Sequence, residues 1–255
     1  MTTVTKEETN VKASLAEQKK LLELHDIDAS MARLEHRQRN LPENAEIASV
    51  GAERASLRGR LAAELGALED ARAELARVES DVEVVDARIA RDTARLTQTS
   101  SVKDVTALEA ELESLRARKS TLEDAQLEVM ERVEEAEGVV AGTRGLDEQL
   151  SARLQDLEER KQTSLDEIAQ EIAALTANRS LVQDSMASEL YALYEQRRAK
   201  NGTGAALFRA GTCGACTITL TGSDLQAVRS ADVEDVVLCP ECSSIMVRTE
   251  ESGLW

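Results

Sequence analysis

The chain has 255 residues, of which 42% are hydrophobic but only 2% aromatic, with two prolines and 31% charged side chains. Such a composition lacks the large side chains that fill the centre of a globular α/β enzyme and suits long paired helices. The formal net charge is −17: residues 1–200 carry 28 Lys/Arg against 41 Asp/Glu and residues 201–255 carry 3 against 7, so neither part has the basic surplus on which phosphate-tracking nucleic-acid binders depend.

The opening decapeptide, MTTVTKEETN, has no apolar h-region of the kind a secretory leader needs. No stretch approaches the ~18 consecutive apolar residues of a membrane span. The expected location is cytoplasmic. From about Val11 to Leu96 apolar residues recur at steps of three and four, first as Leu24, Ile27, Met31 and Leu34. Leu61, Leu65, Leu68, Leu75, Val82, Val85, Ile89 and Leu96 continue the pattern. A sustained period near 3.5 residues makes a narrow apolar seam that has to be buried against another helix. Pro42 removes a backbone donor and disfavours helix at Leu41, which predicts a kink near residues 40–43. The two histidines, His25 and His36, fall on one helix face and read as solvent-facing side chains rather than metal ligands.

The stretch LTQTSSVKDVTAL interrupts the seam with residues that favour caps and turns, placing a turn near 97–104 with Ser101 or Asp104 as the next cap. A second seam then runs through Val105, Leu108, Leu112, Leu115, Lys119, Leu122, Gln126, Val129, Val133, Ala136 and Val140. It continues through Leu150, Leu154, Leu157, Ile168, Leu175 and Val182 to end near Tyr194. Two seams of similar length around a short polar break predict an antiparallel hairpin within one chain, pivoting near residue 100. A parallel dimer with the break as a hinge is the alternative. Each arm of about 90 residues would be on the order of 135 Å long at about 1.5 Å per residue. Gly51, Gly59 and Gly66 would lie opposite Gly138, Gly142 and Gly145, beside the polar seam residues Thr143 and Asp147. A weakly packed bend is expected there, near 51–66 and 138–145.

After Lys200 the sequence NGTGAALF ends the helix, Asn201 and Gly202 being suited to a helix C-terminus. The runs ALFRA, CTITL, DVVLC and SIMVR then read as short strands, with one short helix between them capped by Ser223. Residues 1–200 are therefore expected as a coiled-coil helical hairpin and 201–255 as a separate small module. The fold class is mainly α: a long antiparallel coiled-coil hairpin with a small C-terminal β-rich module.

That module holds all four cysteines, as Cys213-x2-Cys216, a gap of 22 residues, and Cys239-x2-Cys242. Two CxxC knuckles on β-turns can set four sulfurs around one Zn²⁺, and the gap is close to the usual spacing of about 15–20. A module of about 50 residues cannot close on its own core, so bound metal would supply folding free energy. A redox dithiol wants one CxxC at a helix N-terminus in a βαβ setting, which these pairs lack. An iron–sulfur cluster remains open as a second use of four thiolates. One structural zinc held by Cys213, Cys216, Cys239 and Cys242 is the expectation.

Three stretches together resemble the bacterial C4-type zinc-ribbon family, formerly a domain of unknown function, in which a long coiled-coil hairpin precedes a zinc ribbon. They are LLELHDIDASMARLEHRQRNLP, TALEAELESLRARKSTLEDAQLEVMERVEEAE, and TCGAC with LCPECSSIMVR. The resemblance implies the same four cysteine ligands. It also implies one departure, because the family often has glycine after the last cysteine where this chain has Ser243. Some members are linked to flagellar or type III secretion systems as chaperones or adaptors, and nucleic-acid binding has been suggested. No residue here points to a flagellar or secretion setting.

No catalytic constellation stands out, so the residues point to a non-enzymatic zinc-binding adaptor or chaperone-like protein with protein partners. The alternative is an RNA- or DNA-binding regulator whose contacts would be Arg197, Arg198, Lys200, Arg209, Arg229 and Arg248. Against it, the module's balance of −4 becomes −6 once four thiolates and one Zn²⁺ are counted. One Phe and one Trp also leave few platforms for base stacking.

Overall fold

A computed structural model of the protein describes residues 11–254. The leader reading rests on residues 1–10, which lie outside the described residues. Among the described residues no helix is long and apolar enough to cross a membrane. Four helices come first: α1 (Leu15–Arg39), α2 (Pro42–Leu96), α3 (Val102–Asp184) and α4 (Ser188–Asn201). They are followed by β1 (Ala205–Arg209), β2 (Thr212–Cys213), α5 (Gly222–Ser230), β3 (Val237–Leu238), β4 (Ile245–Arg248) and a 3-10 turn at Glu250–Ser252. The protein is a long antiparallel helical hairpin with a small C-terminal β module. The described residues pack as two compact units, 42–160 and, together, 11–41 with 161–254.

In the first unit α2 and the leading part of α3 bury one seam between them. Val50, Leu57, Leu68 and Val85 of α2 are buried, as are Leu112, Leu115, Val129, Val133, Val140 and Leu157 of α3. Ion pairs tie the flanks: Arg88–Glu111 at 2.8 Å, Lys119–Asp86 at 2.6 Å, Arg132–Glu74 at 2.7 Å and Arg54–Asp147 at 2.8 Å. Numbers on α3 rise as those on α2 fall, which is the antiparallel register the two seams call for. The seams thus satisfy each other within one chain. At the tip the Thr99 amide bonds back to the Arg95 carbonyl, and the Val105 amide reaches the Ser101 carbonyl to start α3.

Both helices run unbroken through their glycine clusters. A Cβ placed on Gly51, Gly59, Gly66, Gly138, Gly142 or Gly145 would meet nothing within 4 Å, so close packing does not account for these glycines. The seam beside them is polar. Thr143 is buried and accepts a hydrogen bond from Arg60 at 3.3 Å, while Asp147 accepts from Arg54 and Arg58. An adjoining cavity of ≈ 490 Å³ is lined by Leu57, Arg60, Leu146 and Leu150 among others.

In the second unit α1 opens with a reciprocal cap: the Ser14 hydroxyl accepts the Glu17 amide, and the Glu17 carboxylate accepts the Ser14 amide. The second seam was expected to run as one helix to Tyr194, but α3 stops at Asp184. The Ser185 and Met186 amides close its last turn onto Val182 and Gln183, and Ala187 is extended before α4 begins. Gly202 ends α4 in the left-handed region at φ 78°, its amide on the Arg198 carbonyl.

The strands form one sheet in the order β2-β1-β4-β3, with β1 and β4 parallel and the outer pairs antiparallel. CTITL, expected as a strand, contributes only a bridge from Thr219 to Thr212. Positive φ at Thr217 turns the chain there. Thr221 rather than Ser223 occupies the N-cap of α5.

A sheet this small cannot bury both faces alone. One face packs Ala205, Ile245 and Val247 against Leu21 and Leu24 of α1 and Leu190, Leu193 and Tyr194 of α4. The other closes over Phe208, Cys213, Leu220, Val228, Cys239 and Met246. The segment before α1 joins in as well: the Ala13 amide donates to the Glu234 carbonyl at 2.9 Å and the Val236 amide to the Val11 carbonyl at 3.2 Å. Buried Gln18 donates to the Val233 and Ala13 carbonyls. Residues 201–255, read from sequence as a separate module, therefore share their core with both ends of the helical region.

Candidate metal centre

Two turns built alike carry the cysteines. In the first, the Cys213 amide donates to the Ile218 carbonyl at 3.0 Å and the Thr217 amide to the Cys213 carbonyl at 2.8 Å. In the second, the Cys239 amide donates to the Ser244 carbonyl at 2.9 Å and the Ser243 amide to the Cys239 carbonyl at 2.8 Å. Each turn offers both its sulfurs to the same side. The first turn is packed close under β1: the Gly214 amide bonds the Leu207 carbonyl, and a Cβ on Gly214 would lie 2.7 Å from that oxygen.

The four sulfurs lie within 4.8 Å of one another, with Cys213–Cys242 at 3.9 Å and Cys216–Cys239 at 3.8 Å across the two turns. Sulfurs in a tetrahedron around zinc at ~2.3 Å stand about 3.8 Å apart, so the donor set fits that ion. Cys213 and Cys239 are buried, Cys216 and Cys242 half-buried. Burial pushes the thiols of Cys213 and Cys239 above the ordinary range. Burial acts upward on Cys242 too, but hydrogen bonding with Ser244 and with the neighbouring Cys239 and Cys216 outweighs it and brings the thiol down. Four sulfurs fill a tetrahedral shell and leave no open position for a reacting water, so the arrangement suits a structural ion rather than a catalytic one.

The six basic residues proposed from sequence as nucleic-acid contacts do not form one patch. Arg248 is fully buried, and its guanidinium donates to the carbonyls of Val228, Ala231, Asp232, Val233 and Asp235, holding the loop after α5 against β4. No face of it is left for a phosphate. Arg197 is also buried, at 5% exposure. Arg198 pairs with Glu195 at 2.8 Å and Asp28 at 3.4 Å, and exposed Arg209 lies 3.7 Å from Glu251. Lys200 and Arg229 are exposed. Phe208 is buried, and Trp255 lies outside the described residues.

A polar junction in the same unit went unread in the sequence. Asp28 of α1 receives Arg179 Nε of α3 at 2.7 Å and the Tyr194 hydroxyl of α4 at 2.7 Å. Arg179 also bonds Glu195 and donates to the Tyr191 hydroxyl at 2.9 Å. Burial alone would raise the Asp28 carboxyl, but the bonds from Arg179 and Tyr194 hold it below the usual carboxylate range. Burial, then the bond to Asp28, pushes the Tyr194 hydroxyl up. No local pattern announces these partners, since Asp28 and Arg179 are 151 residues apart.

Residues 24–202 match the CT398-like coiled coil hairpin domain and residues 212–246 the C4-type zinc ribbon domain. An uncharacterized protein of Mycobacterium tuberculosis is 37% identical over 242 residues, covering 94% of this chain and 98% of its own length. Another from Mycobacterium leprae is 28% identical over 223 residues, covering 87% of this chain and 96% of its own length. A solved Mycobacterium smegmatis structure superposes with a TM-score of 0.82 at 34% identity, over 94% of this chain and all of that one. CT398 from Chlamydia trachomatis, at 18% identity, shares the fold with a TM-score of 0.60 over 92% of this chain and 98% of its own. The chain belongs to the bacterial family that joins a CT398-like coiled-coil hairpin to a C4-type zinc ribbon, a ribbon built for one structural zinc.

Proposed function

We propose that this protein is a non-enzymatic adaptor, in which Cys213, Cys216, Cys239 and Cys242 hold one zinc and the helical hairpin offers its outer surface to a protein partner. When bound, the ion supplies no reaction; it cross-links two turns that have little core of their own. The fate of the basic side chains carries the choice of a protein partner. Of six candidates for phosphate contact, Arg248 and Arg197 are buried and Arg198 is committed to Asp28 and Glu195. A nucleic-acid interface would need those charges free. The hairpin meanwhile exposes Leu127, Met130, Val139 and Leu146 on α3.

Photo-crosslinking residues placed singly at Leu127, Met130 and Val139 in the full chain test the reading in cells. Capture of one and the same protein from neighbouring positions is expected. Capture of nucleic acid instead, or of nothing from any position, would reject it. Elemental analysis should give one zinc per chain, and iron in its place would remove the zinc assignment.

A further inference from the structure

The chain on either side of the second cysteine turn is bonded to elements outside the ribbon. Just before Cys239, residues 234–236 pair with residues 11–13, which lead into α1, and Gln18 reaches the Val233 carbonyl. Just after Cys242, the Ser244 hydroxyl donates to the Thr203 carbonyl at 2.9 Å and the Ile245 amide to the Gly204 carbonyl at 2.9 Å. Asn201, the last residue of α4, donates its amide to the Cys242 carbonyl itself at 2.7 Å.

These bonds continue into the helical junction. Gly204 lies against Tyr194 so closely that a Cβ there would be 2.5 Å from ring carbon Cε2. The Tyr194 hydroxyl is on Asp28 of α1, which Arg179 of α3 also holds. Ile245 and Val247 of β4 pack in the cluster that contains Leu21 and Leu24 of α1. The turn that meets the metal and the helix at the start of the chain therefore share their supports.

The turn has two backbone bonds of its own, and metal would add its cross-link to the first turn. β2 and β3 have two residues each, too few to persist as isolated pairs. Ser243 in the turn has φ 60°, a conformation that a non-glycine residue holds only when its surroundings enforce it.

We propose that zinc at the four cysteines fastens α1 to the base of the hairpin, so that metal occupancy decides whether residues 11–24 and α4 stay docked. Metal loss frees the turn, the turn releases residues 234–236 and 201–204, and α1 loses both its strand-like lead-in and the face formed by β4. The inference depends on the zinc site and is independent of which partner the hairpin binds.

Hydrogen exchange by mass spectrometry on the full chain tests it, in zinc-loaded, chelated and reloaded samples with zinc measured in each. Chelation should speed exchange at least tenfold in 11–24 and 188–204 as well as in 205–248, reversibly, and leave 108–133 unchanged. Acceleration confined to 205–248 would overturn the proposal, and so would equal acceleration in 108–133. If no zinc is bound at all, this proposal and the zinc assignment fall together. If zinc is bound but 11–24 does not respond to its removal, only this proposal falls. The variant Asn201→Ala keeps all four cysteines and Ser244. It should retain zinc yet exchange faster in 11–24, and wild-type exchange there would count against the link.

Discussion

Thr217 and Ser243 occupy equivalent places in the two cysteine turns, each four residues after the turn's first cysteine, and they have φ 59° and 60°. Left-handed backbone costs a residue with a Cβ roughly 1–2 kcal/mol relative to glycine, and a β-branched residue such as Thr217 is unusual there. The Thr217 hydroxyl recovers part of this through its bond to the Cys216 carbonyl at 2.7 Å. Ser243 stands where the family often has glycine. Ser243→Gly should stabilise the zinc-loaded protein by about 0.5–1 kcal/mol, the relief of strain being partly offset by a freer unfolded chain. Thr217→Gly should gain less because it forfeits the hydroxyl bond. Thermal unfolding with zinc in excess measures both, and a lower Tm for Ser243→Gly would refute the strain argument.

Zinc affinity should fall steeply as the pH is lowered. Zinc takes thiolates, whereas burial raises the Cys213 and Cys239 thiols so that they are protonated in the metal-free protein at neutral pH. Binding must then release protons. Lowering the pH adds to that cost, so affinity is greatest at high pH and should weaken at least tenfold per unit between pH 8 and 6. Competition with a zinc chelator at several pH values reads this directly. An affinity flat over that range would mean that the thiols are already ionised.

The Asp28–Arg179 pair predicts an acid limit to stability. Asp28 is held below the ordinary carboxylate range in the folded chain. Its stabilising effect is thus fully present above the unfolded value, near pH 4, and is lost as pH falls through the lowered folded value. Glu195, lowered by Arg198 and Arg179 against the upward push of burial, acts in the same sense. Asp28→Ala leaves Arg179 with Glu195 and the Tyr191 hydroxyl and removes the Tyr194 acceptor. A loss of about 2–3 kcal/mol is expected in urea unfolding at pH 7. Asp28→Asn should flatten the acid limb between pH 4 and 2, and an unchanged limb would show that the pair does not set it.

The parts of this molecule legible in its sequence are those that local spacing writes. Leu68, Val133 and Val140 sit in the seam because apolar residues three and four apart share a helix face. The cysteine pairs meet because a turn brings two sulfurs to one side wherever two residues separate them. What the spacing did not carry is long-range. The pairing of 11–13 with 234–236 leaves no periodic trace, and Gln18 looks like an ordinary helix-surface residue until Val233 is placed above it. Arg248 misled for a related reason. At the end of Ile-Met-Val-Arg it reads as the polar close of a strand, yet all four residues of β4 are buried. One signal was present, since an arginine closing an otherwise apolar run can mark a side chain that caps carbonyls inside the fold.

Arg248 gives a sharp test of that internal role. Its guanidinium donates to the Ala231 carbonyl at 2.9 Å, Asp235 at 2.8 Å and Asp232 at 2.5 Å. A lysine ammonium has three donors on one atom and cannot span them. Arg248→Met would leave buried carbonyls unpaired and should cost about 3 kcal/mol or more. Arg248→Lys should recover only part of it. Denaturation of the zinc-loaded chain monitors both variants. Unchanged stability in Arg248→Met would mean that water replaces the guanidinium at no cost.

The glycines of the hairpin can be tested without disturbing any contact. Gly59 and Gly142 lie inside α2 and α3, are exposed, and have open space where a Cβ would go. A helical glycine costs up to ~1 kcal/mol relative to alanine through backbone entropy. Nothing within reach offsets that cost here, and the neighbouring seam is polar, with Arg60 on Thr143 and Arg54 on Asp147. This stretch should therefore open more readily than the leucine-lined seam around Leu112 and Leu115. Gly59→Ala and Gly142→Ala should each stabilise the chain by about 0.5–1 kcal/mol, additively because they share no partner. Hydrogen exchange in 51–66 and 138–150 should slow accordingly. If these amides already exchange as slowly as those of 108–119, or if the alanines destabilise the chain, the glycines are not a weak point of the hairpin. If the alanines stabilise it yet reduce crosslinking to the partner, the easy opening of this stretch serves binding.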